Sequence, residues 1–236
     1  LGPTLPGGEQ GALASNLRST VTQAHSALSR TPAEVQAHVL LARGLLRRAL
    51  YDQALDSLQP QPGPANDTAA LRLLAASVGA RAVVEIGTGA GVSGLWLLQG
   101  MAPDGILTTI DVEPANQRVA REAFAEAGIP HQRTRIIAGR ALDVLPRLAD
   151  GAYDMVVVDG DKNEYPAYVD QALRLLRSGG VLAMDNMLWH DRVADPASRD
   201  ERTALLRDLG KELRERDDLV PAMLAAGDGL LAAVKR

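Results

Sequence analysis

The sequence predicts an α/β fold: a doubly wound, mostly parallel sheet with a C-terminal antiparallel hairpin and N-terminal helices. Three observations predict it. Short apolar runs alternate with helical stretches from about residue 68 onward, the pattern of a parallel sheet covered by helices on both faces. Glycine-rich or acidic clusters stand where the apolar runs end, at 87–91, 159–162 and 185–186. Finally, 219–225 and 230–234 flank Gly227, Asp228 and Gly229, which reads as a hairpin.

The elements follow in order. Residues 1–10 are rich in Gly and Pro and are expected to be a disordered tail. Residues 11–66 are expected to form a helical cap and linker: Leu13, Leu17, Val21 and Leu28 recur near helical spacing, and Val35, Val39, Leu45, Leu46 and Leu50 begin a second run. Residues 41–58 look like one tetratricopeptide helix pair, but no second copy follows and a solenoid needs about three. The run 59–66 is a breaker with three prolines.

Residues 67–236 are expected to form the main domain. Its predicted helices are 68–78, 93–101, 114–127, 141–148, 166–176 and 202–214. Pro114 suits a first helical turn and Gly128 a stop. Leu205, Leu206, Leu209 and Leu213 make the last helix amphipathic. The predicted strands are 82–86, 106–110, 135–138, 153–158 and 181–184.

Composition narrows the function classes. Of 236 residues, 46% are hydrophobic and 23% charged, as in ordinary globular proteins. A net charge of −4 argues against a dedicated nucleic-acid binder. With no cysteine there is no disulfide, zinc-thiolate or iron–sulfur chemistry. No apolar run reaches the ~18–20 residues that span a bilayer, and residues 1–8 lack the basic and apolar regions of a signal peptide. A cytoplasmic protein with no nucleic-acid or membrane partner is expected.

Glu85-Ile86-Gly87-Thr88-Gly89-Ala90-Gly91 ends a strand and opens a helix. Glycines there let the backbone turn tightly and approach a ligand. The dinucleotide fingerprint would place its third glycine at 92, which is Val92. Three readings stand side by side: a tight turn without ligand, a nucleotide such as NAD, and S-adenosylmethionine. The last is favoured because Glu85 could face a ligand amine and Asp111, ending the next strand, could accept from ribose hydroxyls.

Asp159-Gly160-Asp161-Lys162 and Asp185-Asn186 end two further apolar runs. Oxygen donors alone suit a hard cation such as Mg²⁺, with Mn²⁺ or Ca²⁺ as variants, and a lysine beside them is a candidate base. Asp159, Asp185 and Asn186 would give three protein ligands, with Asp161 as competitor, and Lys162 is the candidate base. Because adjacent strand residues face opposite ways, Asp185 and Asn186 can share one ion only if the chain leaves the strand at 186. The bland reading is a set of loop acids capping turns.

Residues 82–194 resemble the cation-dependent S-adenosylmethionine O-methyltransferases, the family of catechol and caffeoyl-CoA O-methyltransferases and their small bacterial relatives. The matching segments are 84–93, 109–114, 139–145, 159–162 with Tyr165 and Tyr168, and 185–190. The resemblance implies a class I, Rossmann-like methyltransferase fold and transfer of a methyl group to a hydroxyl of a catechol-like small aromatic. It implies Asp159, Asp185 and Asn186 as ligands of a divalent metal and Lys162 as base. Glu85, Gly87, Thr88, Gly89, Ser93 and Asp111, with Val112, Arg140, Ala141, Asp159 and Tyr168, would line the cofactor. Trp189 would wall the acceptor pocket or cover the sheet edge, and a homodimer is expected. Three positions depart from the family pattern: Gly160 for an alanine, Glu164 for an asparagine and Asp191 for a glycine. None removes a ligand or the base; they bear on substrate choice. The rival functions are an NAD-dependent oxidoreductase and a non-enzymatic adaptor using the N-terminal helices.

Overall fold

A computed structural model describes residues 67–236, which belong to the unit Pro62–Arg236. The expected tail at 1–10 and helical cap at 11–66 lie outside the described residues.

Seven strands form one sheet in the order β3-β2-β1-β4-β5-β7-β6. The strands are β1 (Ala82–Ile86), β2 (Ile106–Asp111), β3 (Thr134–Ala138), β4 (Tyr153–Val158), β5 (Leu176–Met184), β6 (Leu219–Leu224) and β7 (Leu230–Lys235). The first five run parallel, and β7 inserts antiparallel between β5 and β6. The helices are α1 (Asp67–Ser77), α2 (Val92–Gly100), α3 (Pro114–Glu126), α4 (Ala141–Val144), α5 (Tyr165–Leu175) and α6 (Glu201–Glu215).

Strand alternation sends side chains to two separate cores. Val83, Met155, Val157, Val181 and Ala183 pack with Leu71 of α1, Leu97 of α2 and Phe124 of α3. Val84, Ile86, Val156, Val158, Leu182 and Met184 pack with Tyr165 and Val169 of α5 and Leu206 and Leu209 of α6. Both faces of the central strands are thus buried, which is why those strands read as continuous apolar runs rather than alternating ones.

Two elements differ from expectation. The predicted helix 141–148 stops at Val144 and continues as a 3-10 turn over Leu145–Arg147, because Pro146 has no amide hydrogen to continue the helical ladder. β5 begins at Leu176, earlier than the expected 181. Tyr153 pairs with Leu176 but Met155 with Val181, so β5 bulges there, and Gly179 takes φ +75 within the bulge. Asp154 anchors the irregularity by accepting from Arg177 Nε at 2.7 Å. Among the described residues no helix is long and apolar enough to cross a membrane.

Candidate active site

Strand order reverses between β1 and β4, which have β2 and β5 as their outer neighbours. Ligands of such sheets bind beyond the carboxyl ends at that reversal. Here the hydrogen-bond ladder runs on past the strands: Gly87 N donates to Ile110 O (2.8 Å), Asp159 N to Ile86 O (2.8 Å) and Asp185 N to Val158 O (3.0 Å). Residues 87, 111, 159 and 185 are therefore delivered side by side. Asp159 and Asp185 follow the paired residues Val158 and Met184, so their backbones sit one strand spacing apart, about 4.8 Å.

Two cavities open along this edge. The first, ≈ 420 Å³, is walled by Gly87, Thr88, Gly89, Ser93, Asp111, Asp159 and Asp185, together with Asp67 of α1. The second, ≈ 350 Å³, is walled by Val112, Arg140, Ala141 and Tyr168, with Ile86, Ile110 and Glu164. Gly87, Asp111 and Asp159 border both.

The glycine loop needs its glycines. Gly87, Gly89 and Gly91 all have positive φ, +99°, +51° and +87°, a region costly for side-chain-bearing residues. Asp111 holds the loop from the next strand: its carboxylate accepts from Gly89 N (2.9 Å), Glu113 N (2.8 Å) and Asn116 Nδ2 (3.3 Å).

Glu85 is not part of the wall of either cavity. Its carboxyl is fully buried and accepts from Ser93 Oγ and Thr109 Oγ1, both at 2.6 Å. Thr109 Oγ1 is in turn 2.7 Å from Thr88 Oγ1. Burial is the main reason its pKa is pushed up to about 7, against the lowering effect of the two hydroxyls. Ser93 and Thr88 therefore carry the influence of Glu85 to the cavity surface.

Lys162 is buried in a 3-10 turn whose cap is Asp161, which accepts from Asn163 N at 3.0 Å. Its Nζ donates to Asp159 Oδ1 (3.0 Å) and to Tyr165 Oη (2.5 Å). Tyr165 Oη in turn lies within bonding distance of the carbonyl oxygens of Val158 (3.2 Å) and Asp185 (3.0 Å). Tyr165 is thus the hub that joins both acidic strand ends to the lysine. Sequence reasoning named it only as part of a matching segment; its signal was a hydroxyl in an otherwise apolar helix face.

The chain does leave the strand before 186: β5 ends at Met184, and Asn186 has φ +56°. Asn186 N donates to Asp185 Oδ1 at 2.6 Å. The Asp185 carboxyl is raised above its usual range, first by burial and then by the charges of Asp67 and Asp159. Such crowding of anions is relieved by a cation, so the donor set fits a hard divalent ion. Among the described residues no three His, Asp or Glu side chains converge for a metal, and Asn186 lines neither cavity.

Trp189 lies outside the walls of both cavities. It is partly buried against the α5–α6 core, with the Arg202 guanidinium 5.2 Å from its ring centroid and His190 5.4 Å away. Trp189, His190 and Asp191 all have positive φ, and Asp228 holds the turn by accepting from His190 N at 2.7 Å.

Comparison with known proteins decides the family. Residues 33–236 match the family described as O-methyltransferase. The chain belongs to the O-methyltransferase family. A Mycobacterium ulcerans protein assigned by name to the O-methyltransferases is 53% identical over 167 residues, covering 71% of this chain and 75% of that protein. A Mycobacterium avium protein of similar name is 44% identical over 214 residues, 91% and 93% of the two chains. Among solved structures, the O-methyltransferase TomG from Streptomyces achromogenes, in complex with SAM, shares 33% identity with a TM-score of 0.67, covering 80% of this chain and 89% of that one. An O-methyltransferase from Bacillus cereus in complex with SAH shares 28% with a TM-score of 0.68, covering 81% and 90%. This methyltransferase therefore has the class I fold expected for it, and the NAD-oxidoreductase and adaptor readings fall away.

Proposed function

We propose that this methyltransferase moves a methyl group from S-adenosylmethionine to a hydroxyl of a catechol-like small aromatic, assisted by a divalent cation, with Mg²⁺ the first candidate. The observation that carries the reading is the convergence of Asp159 and Asp185 on one cleft whose other walls include the glycine loop and Asp111, with the Lys162 amine bonded to Asp159.

When bound, S-adenosylmethionine supplies a methyl group made electrophilic by its sulfonium. A divalent ion held by Asp159, Asp185 and Asn186 would supply Lewis acidity toward the acceptor hydroxyl. The chain's own residues do the rest. Thr88, Gly89 and Ser93 line the half of the cleft nearest Asp185, where the amino-acid portion of the cofactor belongs, and Asp111 accepts from its ribose. Val112, Arg140, Ala141 and Tyr168 wall the other half, which suits a flat base. Lys162 Nζ, in its neutral form and steered by Asp159 and Tyr165, takes the acceptor proton as the oxygen–methyl bond forms and the sulfur–methyl bond breaks. Holding the two reactants in one cleft contributes much of the acceleration.

The expected homodimer is supported by the half-exposed apolar side chains Val220, Met223 and Val234 on the outer hairpin, and a cytoplasmic location by the cysteine-free composition. The direct test is methyl transfer to a panel of catechols with Mg²⁺ and with excess chelator. Product with Mg²⁺ and none with chelator is expected. Equal product in both would remove the metal from the reading, and none with any hydroxylated aromatic would remove the acceptor class.

A further inference from the structure

We propose that Asp228, in the turn between β6 and β7, is a positioning residue for the cation end of the cleft: it fixes the segment that follows Asp185 and Asn186. The inference rests on the divalent-cation reading above and adds to it a residue outside the donor set.

That segment is strained backbone. Asn186, Trp189, His190 and Asp191 have φ of +56°, +50°, +57° and +62°, a left-handed region that is costly for residues with a side chain. Asp191 stands where the family pattern has a glycine, so the residue best suited to that region is missing from the run. Such a conformation persists only where the surroundings over-determine it. Arg207 of α6 clamps the carbonyl oxygens of Arg192, Val193, Asp195 and Ser198, all of which lie beyond the strained residues.

The β6–β7 turn holds the near part. Met187 N donates to Gly229 O and Leu188 N to Asp228 O, both at 2.9 Å. His190 N donates to both oxygens of the Asp228 carboxylate, at 2.7 and 2.9 Å. Of these acceptors the carboxylate alone belongs to a side chain, so it is the hold that a substitution can remove.

Steric contacts place the turn at the same spot independently. A Cβ at Gly229 would stand 2.4 Å from Leu188 Cγ, and one at Gly227 would stand 2.5 Å from Asp67 Oδ2. Asp67 and Asp185 share the wall of the first cavity. The turn therefore abuts the chain on both sides of that wall, at the first residue of α1 and at the segment leaving β5. Groups that orient metal ligands from behind typically matter by about 10–100-fold in metal affinity.

The test is calorimetric titration of the full chain with Mn²⁺, beside the same titration with S-adenosylhomocysteine. Asp228→Ala should raise the Mn²⁺ Kd by about tenfold or more while S-adenosylhomocysteine affinity stays within about threefold of wild type. Asp228→Asn keeps an oxygen for His190 N and should bring the Mn²⁺ Kd back to within about threefold. A role in folding alone would lower the melting temperature and leave the Mn²⁺ Kd of the folded variant unchanged, which overturns the proposal. Equal losses in the two variants would trace the effect to charge rather than to the hold on His190, and also overturn it. Should Asp228→Ala lose its native circular dichroism, hydrogen exchange on the wild-type chain carries the test. Coupling between ion and turn is reciprocal, so Mn²⁺ should slow exchange of the Met187, Leu188 and His190 amides by about tenfold; exchange indifferent to Mn²⁺ overturns the proposal. A wild-type chain that binds no Mn²⁺ sinks the cation reading and this proposal with it, while S-adenosylhomocysteine binding would still stand.

Discussion

Gly87 and Asp159 touch backbone to backbone: a Cβ at 87 would stand 2.2 Å from the Asp159 carbonyl oxygen. The contact joins the glycine loop to the acidic strand end and sits where the two cavities meet. With φ at +99°, Gly87 is doubly committed. Gly87→Ala should cost roughly 2–4 kcal/mol of stability and abolish S-adenosylhomocysteine binding. Thermal unfolding and calorimetry check this; near-native values for both would show that the close approach is dispensable.

Lys162→Met should lower kcat by about 10²-fold or more while S-adenosylhomocysteine affinity stays near wild type. Lys162 lines neither cavity wall and is joined to the cleft through the bond of its amine to Asp159. Steady-state kinetics beside direct binding separate the two effects, and an unchanged kcat would assign proton removal elsewhere.

Tyr165→Phe keeps the ring in the core but strips the hydroxyl that Val158 O, Asp185 O and Lys162 Nζ share. Leaving buried polar partners unmet should cost about 1–3 kcal/mol. Turnover should fall as well, because Lys162 loses one of its two anchors. Denaturant unfolding with kinetics in one variant measures both, and a change in neither would demote Tyr165 to packing alone.

A divalent cation should raise the melting temperature of the wild-type chain in proportion to the logarithm of its concentration. Asp185→Ala should erase that shift, since the buried Asp185 carboxyl is the group most crowded by its acidic neighbours. A wild-type chain indifferent to Mg²⁺, Mn²⁺ and Ca²⁺ would argue that Asp159 and Asp185 serve only the fold.

Glu85 gives a pH dependence with a definite sign. Its folded pKa is pushed from the ordinary 4.5 up to about 7, chiefly by burial. The contribution of its proton to stability is full below 4.5 and is lost as pH rises through about 7. Glu85→Gln should flatten this part of the stability–pH curve of the ligand-free chain. Denaturant midpoints from pH 4.5 to 8 test it; a curve unaltered by the substitution would place the dependence on other groups.

Much of the fold and part of the site were legible in the sequence. The buried runs 82–86 and 153–158 coincide with β1 and β4, because a strand covered on both faces must be apolar throughout. Acidic residues just beyond such runs could be placed at the sheet edge for the same reason. The beginning of β5 was not legible, since Gly179 and Gly180 fall between the predicted helix 166–176 and strand 181–184 while the chain bulges through them in the sheet. Neither was the position of Glu85: a carboxylate in an apolar strand signals a site, yet whether it reaches a ligand or a buried pair of hydroxyls depends on Ser93 and Thr109, eight and twenty-four residues away.

By itself the sequence determined which residue types stand at each strand end, because apolar period and glycine spacing are local properties. Only the tertiary structure decided which ends are neighbours. The register that sets Asp159 beside Asp185, the hub at Tyr165 and the hold of Asp228 on His190 all join segments distant in the chain. Such pairings are settled by strand order and core packing, which no local pattern encodes.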